Sequence, residues 1–355
     1  MILAPSLLIA SFLNVFAAAA AAAGAHSVAP SDSGPISPEP GWPKWLRSRA
    51  AHRTDQTSGL AFLGRGPAGE RVFLAADDTG DLWRLTISAG DEAIGLAPIP
   101  FRGAAAESLT RFPKADLEGV AWDPLRSRIL ISIEGNTRRG EANGASCSAS
   151  LGIFEATLEP NAFRALRVTR LERLALPEWR EASRLAKKNC GFEGIALRGD
   201  TLLLGLEAIS DGEAIFSDSA AIEVFDLAAG TRAEIGTGSL GILTITGLDP
   251  GPGGRFYGVD RNGLRLFSLR IEQGRAVDFC SVSLRMPGAR GRPYRIPSPE
   301  SIAVDDSGFV WIAVDPWLYE PVTTEGLSRR DLANYRDGVP LLYKYRDPFC
   351  EPAPR

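Results

Sequence analysis

Acidic residues recur at two equivalent positions in five segments of this chain. In three segments a glutamate opens a short apolar stretch, at Glu118, Glu193 and Glu300, whereas Ser58 and Thr246 open the other two. After a polar turn, a second apolar stretch ends on an acid in all five segments: Asp77, Glu134, Glu207, Asp260 and Asp315. Glutamate is depleted from strands, so its recurrence at three strand starts favours a functional site over simple turn formation, which is the alternative.

Carboxylates at this density repel one another, so they require a bound cation or must stay protonated. Oxygen ligands of this kind suit Ca²⁺ best, with Mg²⁺ or Mn²⁺ as alternatives. The chain has only two histidines, which disfavours zinc and a Ser–His–Asp triad. The chemistry that remains is attack by a metal-bound water with a carboxylate base. We therefore predict a metal site formed by Glu118, Glu134, Glu193, Glu207, Asp260, Glu300, Asp315 and Asp77.

Three further polar residues follow the second set of acids. Asn136 and Asn262 each stand two residues after such an acid, and Arg261 directly follows Asp260. A guanidinium and a bound cation could together hold an anionic substrate, so we predict that Asn136, Arg261 and Asn262 bind substrate. For any single loop arginine, exposure to solvent is the alternative. No catalytic residue is assigned.

The elements that must position these residues form a repeat. Each segment contains two apolar stretches, a third one after the acid and, in four cases, a candidate fourth. Four strands in about fifty residues or more are typical of a β-propeller blade. We predict an all-β propeller of five four-stranded blades, the last one closed by an N-terminal strand within residues 45–56. Six blades are the alternative if residues 118–193 conceal another; we prefer an insertion there with a short helix near residues 177–188.

Antiparallel pairing explains why the two sets of acids belong together. The first strand of a blade lines the central channel and the second strand returns beside it. The start of the first strand and the end of the second therefore lie on the same rim. Glu193 and Glu207 are thus predicted neighbours, contributed by one blade to a shared acidic site.

The N-terminal segment has the features of a secretory signal peptide. Residues 1–25 are apolar and end in small residues that suit cleavage, although a basic start is missing. An uncleaved membrane anchor is the alternative. Residues 26–44, rich in Ser, Pro and Gly, are interpreted as a flexible lead-in, and residues 45–355 as the propeller domain. The predicted location is periplasmic or secreted, in a bacterium.

Export permits disulfides among the four cysteines. Cys147 and Cys190 are assigned to loops on the acidic rim, and Cys280 and Cys350 follow third strands toward the opposite rim. We predict the pairs Cys147–Cys190 and Cys280–Cys350.

Charge and hydropathy restrict the partners. A formal net charge of −4 disfavours nucleic acid, and no segment after the N-terminus is apolar enough to span a membrane. We expect a monomer acting on a small anionic or ester substrate.

Three segments resemble known families. "DLEGVAWDP", "GFEGIALRGDTLLLGLEA" and "PESIAVDDSGFVWIAVD" are similar to the blade openings of bacterial exported phytase-like propellers, the "esterase-like activity of phytase" group. "KNCGFEGIALRGDTLLLGLEAI" also resembles an uncharacterised bacterial domain family, DUF3616, and the SMP-30/gluconolactonase propellers are more distantly similar. The resemblance covers roughly residues 55–348. It implies an exported propeller with calcium in its channel and hydrolysis of phosphoesters or esters. Glu118, Glu193 and Glu300 match the acid at the blade opening, whereas Ser58 and Thr246 depart from it.

Two functions remain open on these grounds. One is a metal-dependent hydrolase of phosphoesters, esters or lactones. The other is a non-catalytic propeller that binds a ligand or protein on its rim and uses the ion for structure.

Overall fold

The computed structural model describes residues 34–50, 52–112, 115–134, 151–159, 166–185, 191–207, 220–316 and 319–349. Within them, twenty strands form five antiparallel sheets of four strands each. The fold is all-β, and the five sheets are the blades of a β-propeller. The five-bladed prediction is confirmed, and the six-bladed alternative is wrong.

The strands follow one another in chain order within each blade. Strand β1 (Lys44–Trp45) comes first, followed by blade one with β2 (Thr57–Arg65), β3 (Arg71–Asp77), β4 (Leu82–Ile87) and β5 (Ile94–Pro98). Blade two contains β6 (Asp116–Asp123), β7 (Arg128–Glu134), β8 (Gly152–Glu159) and β9 (Arg167–Arg173). Blade three contains β10 (Phe192–Arg198), β11 (Thr201–Leu206), β12 (Ala221–Asp226) and β13 (Thr231–Gly236). Blade four contains β14 (Gly247–Pro250), β15 (Phe256–Asp260), β16 (Arg265–Glu272) and β17 (Arg275–Ser283).

Blade five joins the two ends of the described chain. Its strands are β18 (Pro299–Val304), β19 (Phe309–Val314) and β20 (Leu341–Arg346), and β1 pairs antiparallel with β20. The predicted closure by an N-terminal strand is therefore confirmed, although the strand is only two residues long. Three short helices lie outside the blades: α1 (Ala104–Leu109), α2 (Trp179–Ala182) and α3 (Arg329–Arg336). Helix α2 is the one predicted in the insertion between blades two and three.

The residues before β1 contact the propeller from residue 36 onward. The Ile36 N–H donates to the carbonyl of Ser283, and the Arg285 N–H donates to the carbonyl of Ile36, at 2.9 and 2.8 Å. The Glu39 N–H donates to Lys344 over 2.7 Å. The described part of the segment interpreted as a flexible lead-in is thus held against blades four and five. The predicted signal peptide, residues 1–25, lies outside the described residues.

The hydrophobic core consists of five layers, one between each pair of neighbouring blades. Blade one packs on blade two through Leu74 and Ile131, for example, and blade five packs on blade one through Trp311 and Phe73. The rings of these last two lie 5.4 Å apart. Because each blade is covered on both faces, its inner strands are apolar along their length rather than alternating, as in FVWIAV of β19. In the part of the chain that the structure describes, no helix has the length and hydropathy of a membrane span.

Candidate metal centre

A β-bulge places the predicted rim residue of four blades. The ladders β2/β3, β6/β7, β10/β11 and β18/β19 each shift register at the same point near the start of the first strand. The residues at these shifts are Ser58, Glu118, Glu193 and Glu300. A bulge adds an unpaired residue and re-aims its side chain. This explains how a glutamate is tolerated near a strand start: it lies at the bulge, where the ladder is interrupted.

The residue after the bulged side chain allows the blades to approach closely. A Cβ on Gly119 would lie 2.5 Å from the carbonyl oxygen of Glu193 in the next blade, and one on Gly59 would lie 2.9 Å from the backbone nitrogen of Val120. At Gly247 the atom nearest to an added Cβ is likewise backbone, in blade five, whereas at Gly194 it is a side-chain atom of blade four. The innermost strands of blades one and two, two and three, and four and five therefore approach backbone to backbone. The glutamate–glycine pair brings the bulged acids of neighbouring blades together around one narrow channel.

Three carboxylates of blade two converge at the channel. Asp116 and Glu134 are directly opposite each other in the β6/β7 ladder, and Glu118 lies in the bulge beside them. One oxygen from each lies within 4.8 Å of the others. Their exposed fractions are 3%, 9% and 6% for Asp116, Glu118 and Glu134. We call this group the blade-two triad.

The blade-two triad fits a hard divalent cation. Calcium bonds oxygen at about 2.3–2.6 Å, so two oxygens that share one ion lie at most about 5 Å apart. The backbone N–H of Gly119, in the bulge beneath the triad, has a hydrogen-bond partner: it donates to Ser132 Oγ over 2.7 Å. Burial raises the pKa of Glu118 well above its usual range, and the charges of Glu134 and Asp116 raise it further. The triad therefore either carries protons or binds a cation.

A second group of acids surrounds a buried guanidinium. Arg261, which follows β15, donates from Nη1 to Glu300 Oε1 over 2.7 Å and from Nη2 to Glu207 Oε1. Ser298 Oγ donates to the same Glu300 oxygen at 2.8 Å. Burial lowers the pKa of Arg261, but the charges of Glu300, Glu193 and Glu207 reverse this and raise it well above its usual range. Arg261 is thus a fixed cation between the acids of blades three and five.

The acids of different blades influence one another across the channel. Burial, followed by the charges of Glu207 and Glu300, raises the pKa of Glu193 well above its usual range, whereas Arg261 lowers it. Burial raises the pKa of Glu300 to about 7, with Arg261 opposing the rise and Asp315 adding to it. Glu193 also responds to Glu118, so the blade-two triad and the Arg261 group form one electrostatic unit. The predicted neighbours Glu193 and Glu207 are indeed brought together.

Two of the predicted ligands have partners within their own loops. Asp77 accepts hydrogen bonds from the N–H groups of Asp55 and Thr79 at 2.8 and 3.2 Å. Asp260 accepts from the N–H of Gly263 at 2.9 Å and from Arg265 Nη2 at 2.8 Å. These acids stabilise turns at the ends of β3 and β15. Turn formation is the alternative to a functional site that the sequence left open. Asp315 lies near Glu300, whose pKa its charge raises.

The remaining predicted residues lie partly inside and partly outside the described residues. The Asn262 N–H donates to Thr244 Oγ1 over 3.1 Å, and its Nδ2 is buried without a partner among the described residues. Cys280 is half-buried on β17, and its predicted partner lies outside the described residues. Four residues lie outside the described residues, so the disulfide pairs and one substrate contact stay predictions: Asn136, Cys147, Cys190 and Cys350.

Asp116 is the site residue that sequence reasoning missed. It stands two residues before Glu118 in "DLEGVAW", and residues two apart in a strand lie on one face. The spacing D-x-E at a blade opening was therefore a usable signal. It occurs in one blade, and a search for positions shared by all five segments discards it.

Comparisons with known proteins give distant structural likenesses and no family. No protein-family profile matches this chain, and no curated sequence does. A luciferin-regenerating enzyme aligns at 12% identity over 78% of this chain and 74% of its own, with a TM-score of 0.43. A glutaminyl cyclase from Myxococcus xanthus aligns at 12% identity over 88% and 97%, with a TM-score of 0.43. A gluconolactonase from Xanthomonas campestris aligns at 14% identity over 80% and 82%, with a TM-score of 0.38.

These neighbours are β-propeller proteins, and likenesses at such identities and TM-scores carry no argument about this chain. The activities in their names belong to those proteins. No family match supports the predicted kinship with the phytase-like group or with DUF3616. The assignment of this chain to the β-propeller architecture rests on its own five sheets.

Proposed function

We propose that this protein is a cation-dependent hydrolase of small esters or lactones, with its site in the acidic channel. The observation that carries the proposal is the blade-two triad, whose oxygens lie within 4.8 Å of one another. Calcium is the proposed ion, with Mg²⁺ or Mn²⁺ as alternatives, because the donors are all carboxylate oxygens. The likeness of the blade openings to phytase-like exported propellers supports a hydrolase. The composition of residues 1–25 supports action in the periplasm or outside the cell.

Asp116, Glu118 and Glu134 would hold the ion. A bound divalent cation supplies Lewis-acid polarisation of the scissile carbonyl or phosphoryl oxygen. The cation would also keep the triad ionised, since opposite charge lowers the pKa of a carboxyl group. The triad therefore needs no neighbouring arginine to stay ionised.

Proton transfer falls to the acids beside the triad. Glu193 lies in the bulge of the neighbouring blade; a cation bound at the triad would lower its raised pKa, so that Glu193 could accept a proton from the attacking water. Glu300, whose pKa is about 7, is matched to donating a proton to a leaving group near neutral pH. Its contact with Arg261 Nη1 keeps the carboxyl oriented. These roles give the two groups of acids separate tasks within one channel.

The charge of the channel selects against highly anionic substrates. Arg261, predicted to bind an anionic substrate, is engaged by Glu300 and Glu207 instead. Several carboxylates around one cation would repel a polyphosphorylated molecule. A neutral ester or a lactone fits this field better, and a phosphomonoester is the less favoured substrate.

A structural ion in a non-catalytic binding propeller is the second candidate function. The triad residues are all less than a tenth exposed, which favours an ion closed off from substrate. In this case the ion would stabilise blade two and leave turnover absent. The two candidates share the metal site and differ only in hydrolysis.

The test is a thermal melt of the full chain in EDTA, with calcium, magnesium or manganese then added back. A ligand at a hundredfold excess over its Kd stabilises by roughly 2.7 kcal/mol, which we expect to raise the Tm by about 5 °C. Glu118→Gln should abolish the shift, whereas Glu172→Gln, an exposed control on β9, should keep it. No shift with any ion would refute the metal site. A screen of nitrophenyl esters, lactones and nitrophenyl phosphate then separates hydrolase from structural ion.

A further inference from the structure

The channel has a second mouth at the end opposite the acids. The innermost strands β2, β6, β10, β14 and β18 begin at the acidic rim and finish around a cavity of about 260 Å³. All five blades contribute to its lining, and we call it the distal pocket. None of the blade-two triad or the Arg261 group lines it.

The walls of the distal pocket are mainly apolar. Phe62, Trp122, Pro124, Leu125, Leu197 and Pro250 provide most of the surface. Leu125, in the turn between β6 and β7, lines the pocket and is 80% exposed. An apolar wall with a few polar groups is the usual composition of a small-molecule site. Drug-sized ligands occupy roughly 300–1,000 Å³, so this pocket suits a smaller molecule of about ten non-hydrogen atoms.

One cation lines the pocket without a described carboxylate in contact with it. Arg198, at the end of β10, donates from Nη2 to the carbonyl oxygens of Gly251 and Arg255, the latter at 2.9 Å. Its guanidinium lies 5.5 Å from the ring centre of Phe256. Among the described residues it forms no salt bridge, and its Nε is buried without a hydrogen-bond partner. Burial lowers the pKa of Arg198, and the charge of Asp249 partly offsets this without a direct contact.

Neither carboxyl group of the pocket forms a salt bridge with Arg198. Asp123 is already paired with Arg126 and Arg128, at 3.1 and 3.0 Å. Asp249 is 6% exposed and accepts a hydrogen bond from the Val304 N–H over 2.7 Å. Burial raises the pKa of Asp249 well above its usual range, and the charge of Arg198 opposes that rise. Arg198 is therefore the charged group of the pocket that a ligand carboxylate could still contact.

We propose that the distal pocket binds a small monocarboxylate with an aromatic body, its carboxylate facing Arg198 and its ring against Trp122, Phe62 and Leu125. The charge complementarity selects a carboxylate over a neutral or cationic molecule of the same shape. Arg198, rather than the acids of the channel, determines the specificity. This site is separate from the proposed hydrolytic one and does not depend on it.

The experiment titrates the full chain with benzoate, benzamide and benzylamine by calorimetry and ligand-observed NMR. Benzoate should bind at least about tenfold more tightly than benzamide, and benzylamine should not bind. Arg198→Gln should remove this preference. Leu125 offers a milder test at an exposed position: both variants lose an apolar contact, and Leu125→Asp should weaken benzoate about threefold more than its neutral isostere Leu125→Asn does.

The binding measurements either support or refute the distal pocket as a carboxylate site. Equal affinity for benzoate and benzamide, or no binding of benzoate, would overturn the proposal. If Arg198→Gln fails to fold because two carbonyls lose their donor, the Leu125 pair gives the answer by itself. Glu118→Gln should leave benzoate binding unchanged, because its carboxyl lies at the opposite end of the channel. A loss of benzoate binding in that variant would place the ligand in the acidic channel and refute the distal site.

Discussion

Arg261 Nη1 lies 2.7 Å from Oε1 of Glu300, although the two residues belong to different blades. The same guanidinium contacts Glu207, so one side chain of blade four connects the acids of blades three and five. The arginine thus neutralises one side of the channel permanently. The blade-two triad remains on the other side as the place where an external cation can bind.

Replacing Arg261 with Met should destabilise the protein by roughly 3 kcal/mol at pH 7, because two buried carboxylates lose their cation. The loss should be smaller at pH 5, where Glu300, whose pKa is about 7, can take up a proton. Urea unfolding at the two pH values measures it. Arg170→Met, which removes an exposed partner of Glu172, serves as the control and should change nothing. An equal loss at both pH values would argue against an electrostatic cause.

Without divalent ions, stability should fall as the pH rises from about 5 to 8. Burial and repulsion raise the pKa of Glu118 and Glu193 well above their usual range, and that of Glu300 to about 7. An acid with a higher pKa in the folded chain binds more protons when folded, so folding weakens as the pH rises from the unfolded pKa through the folded one. Urea midpoints in EDTA at four pH values test this. Calcium should flatten the profile, and Glu118→Gln should reduce its slope; a midpoint that climbs with pH in EDTA would contradict the prediction.

Gly119→Ala should cost about 1–3 kcal/mol by overpacking, since the added Cβ would lie 2.5 Å from the carbonyl oxygen of Glu193. The strain would separate blades two and three and displace the bulged acids, so calcium affinity should fall as well. Thermal melts with and without calcium measure both effects. The matched control is Gly236→Ala on β13, where a Cβ would meet nothing within 4 Å. Identical behaviour of the two variants would show that the close approach is unimportant.

Glu193→Gln should lower turnover at least about a hundredfold while the protein stays folded, because the amide cannot accept the proton of an attacking water. The calcium-induced rise in Tm should persist, since Glu193 is outside the blade-two triad. The pair of readouts distinguishes proton transfer from ion binding. Full activity in Glu193→Gln would remove this residue from the mechanism, and a lost calcium shift would instead make it a ligand.

The periodicity of the chain was enough to predict the blades, the closing strand and the meeting of Glu193 with Glu207. It located the five acids at the ends of second strands but could not distinguish their partners. Asp77 and Asp260 bind the backbone of their own loops, and Glu207 binds Arg261. These differences arise from loops between blades, which follow no shared pattern. Arg261 lies among the channel acids, but its contacts come from two other blades and depend on tertiary packing.

The register shifts at Glu118, Glu193 and Glu300 could not be predicted either. A bulge is visible only when both strands of the ladder are aligned residue by residue. The sequence does show that a glycine follows both Glu118 and Glu193. Its physical reason, contact with the next blade, required the ring to be assembled.

The pairing of Lys44 and Trp45 with β20 also has a kinetic consequence. A seam that joins strands about three hundred positions apart forms only when almost the whole polypeptide has emerged, so blade five cannot be completed during synthesis. Contacts of such long range slow folding and leave the unfinished ring open for longer. If the chain is exported unfolded, as the composition of residues 1–25 predicts, this delay would keep it competent for transport until β1 and β20 have both crossed the membrane.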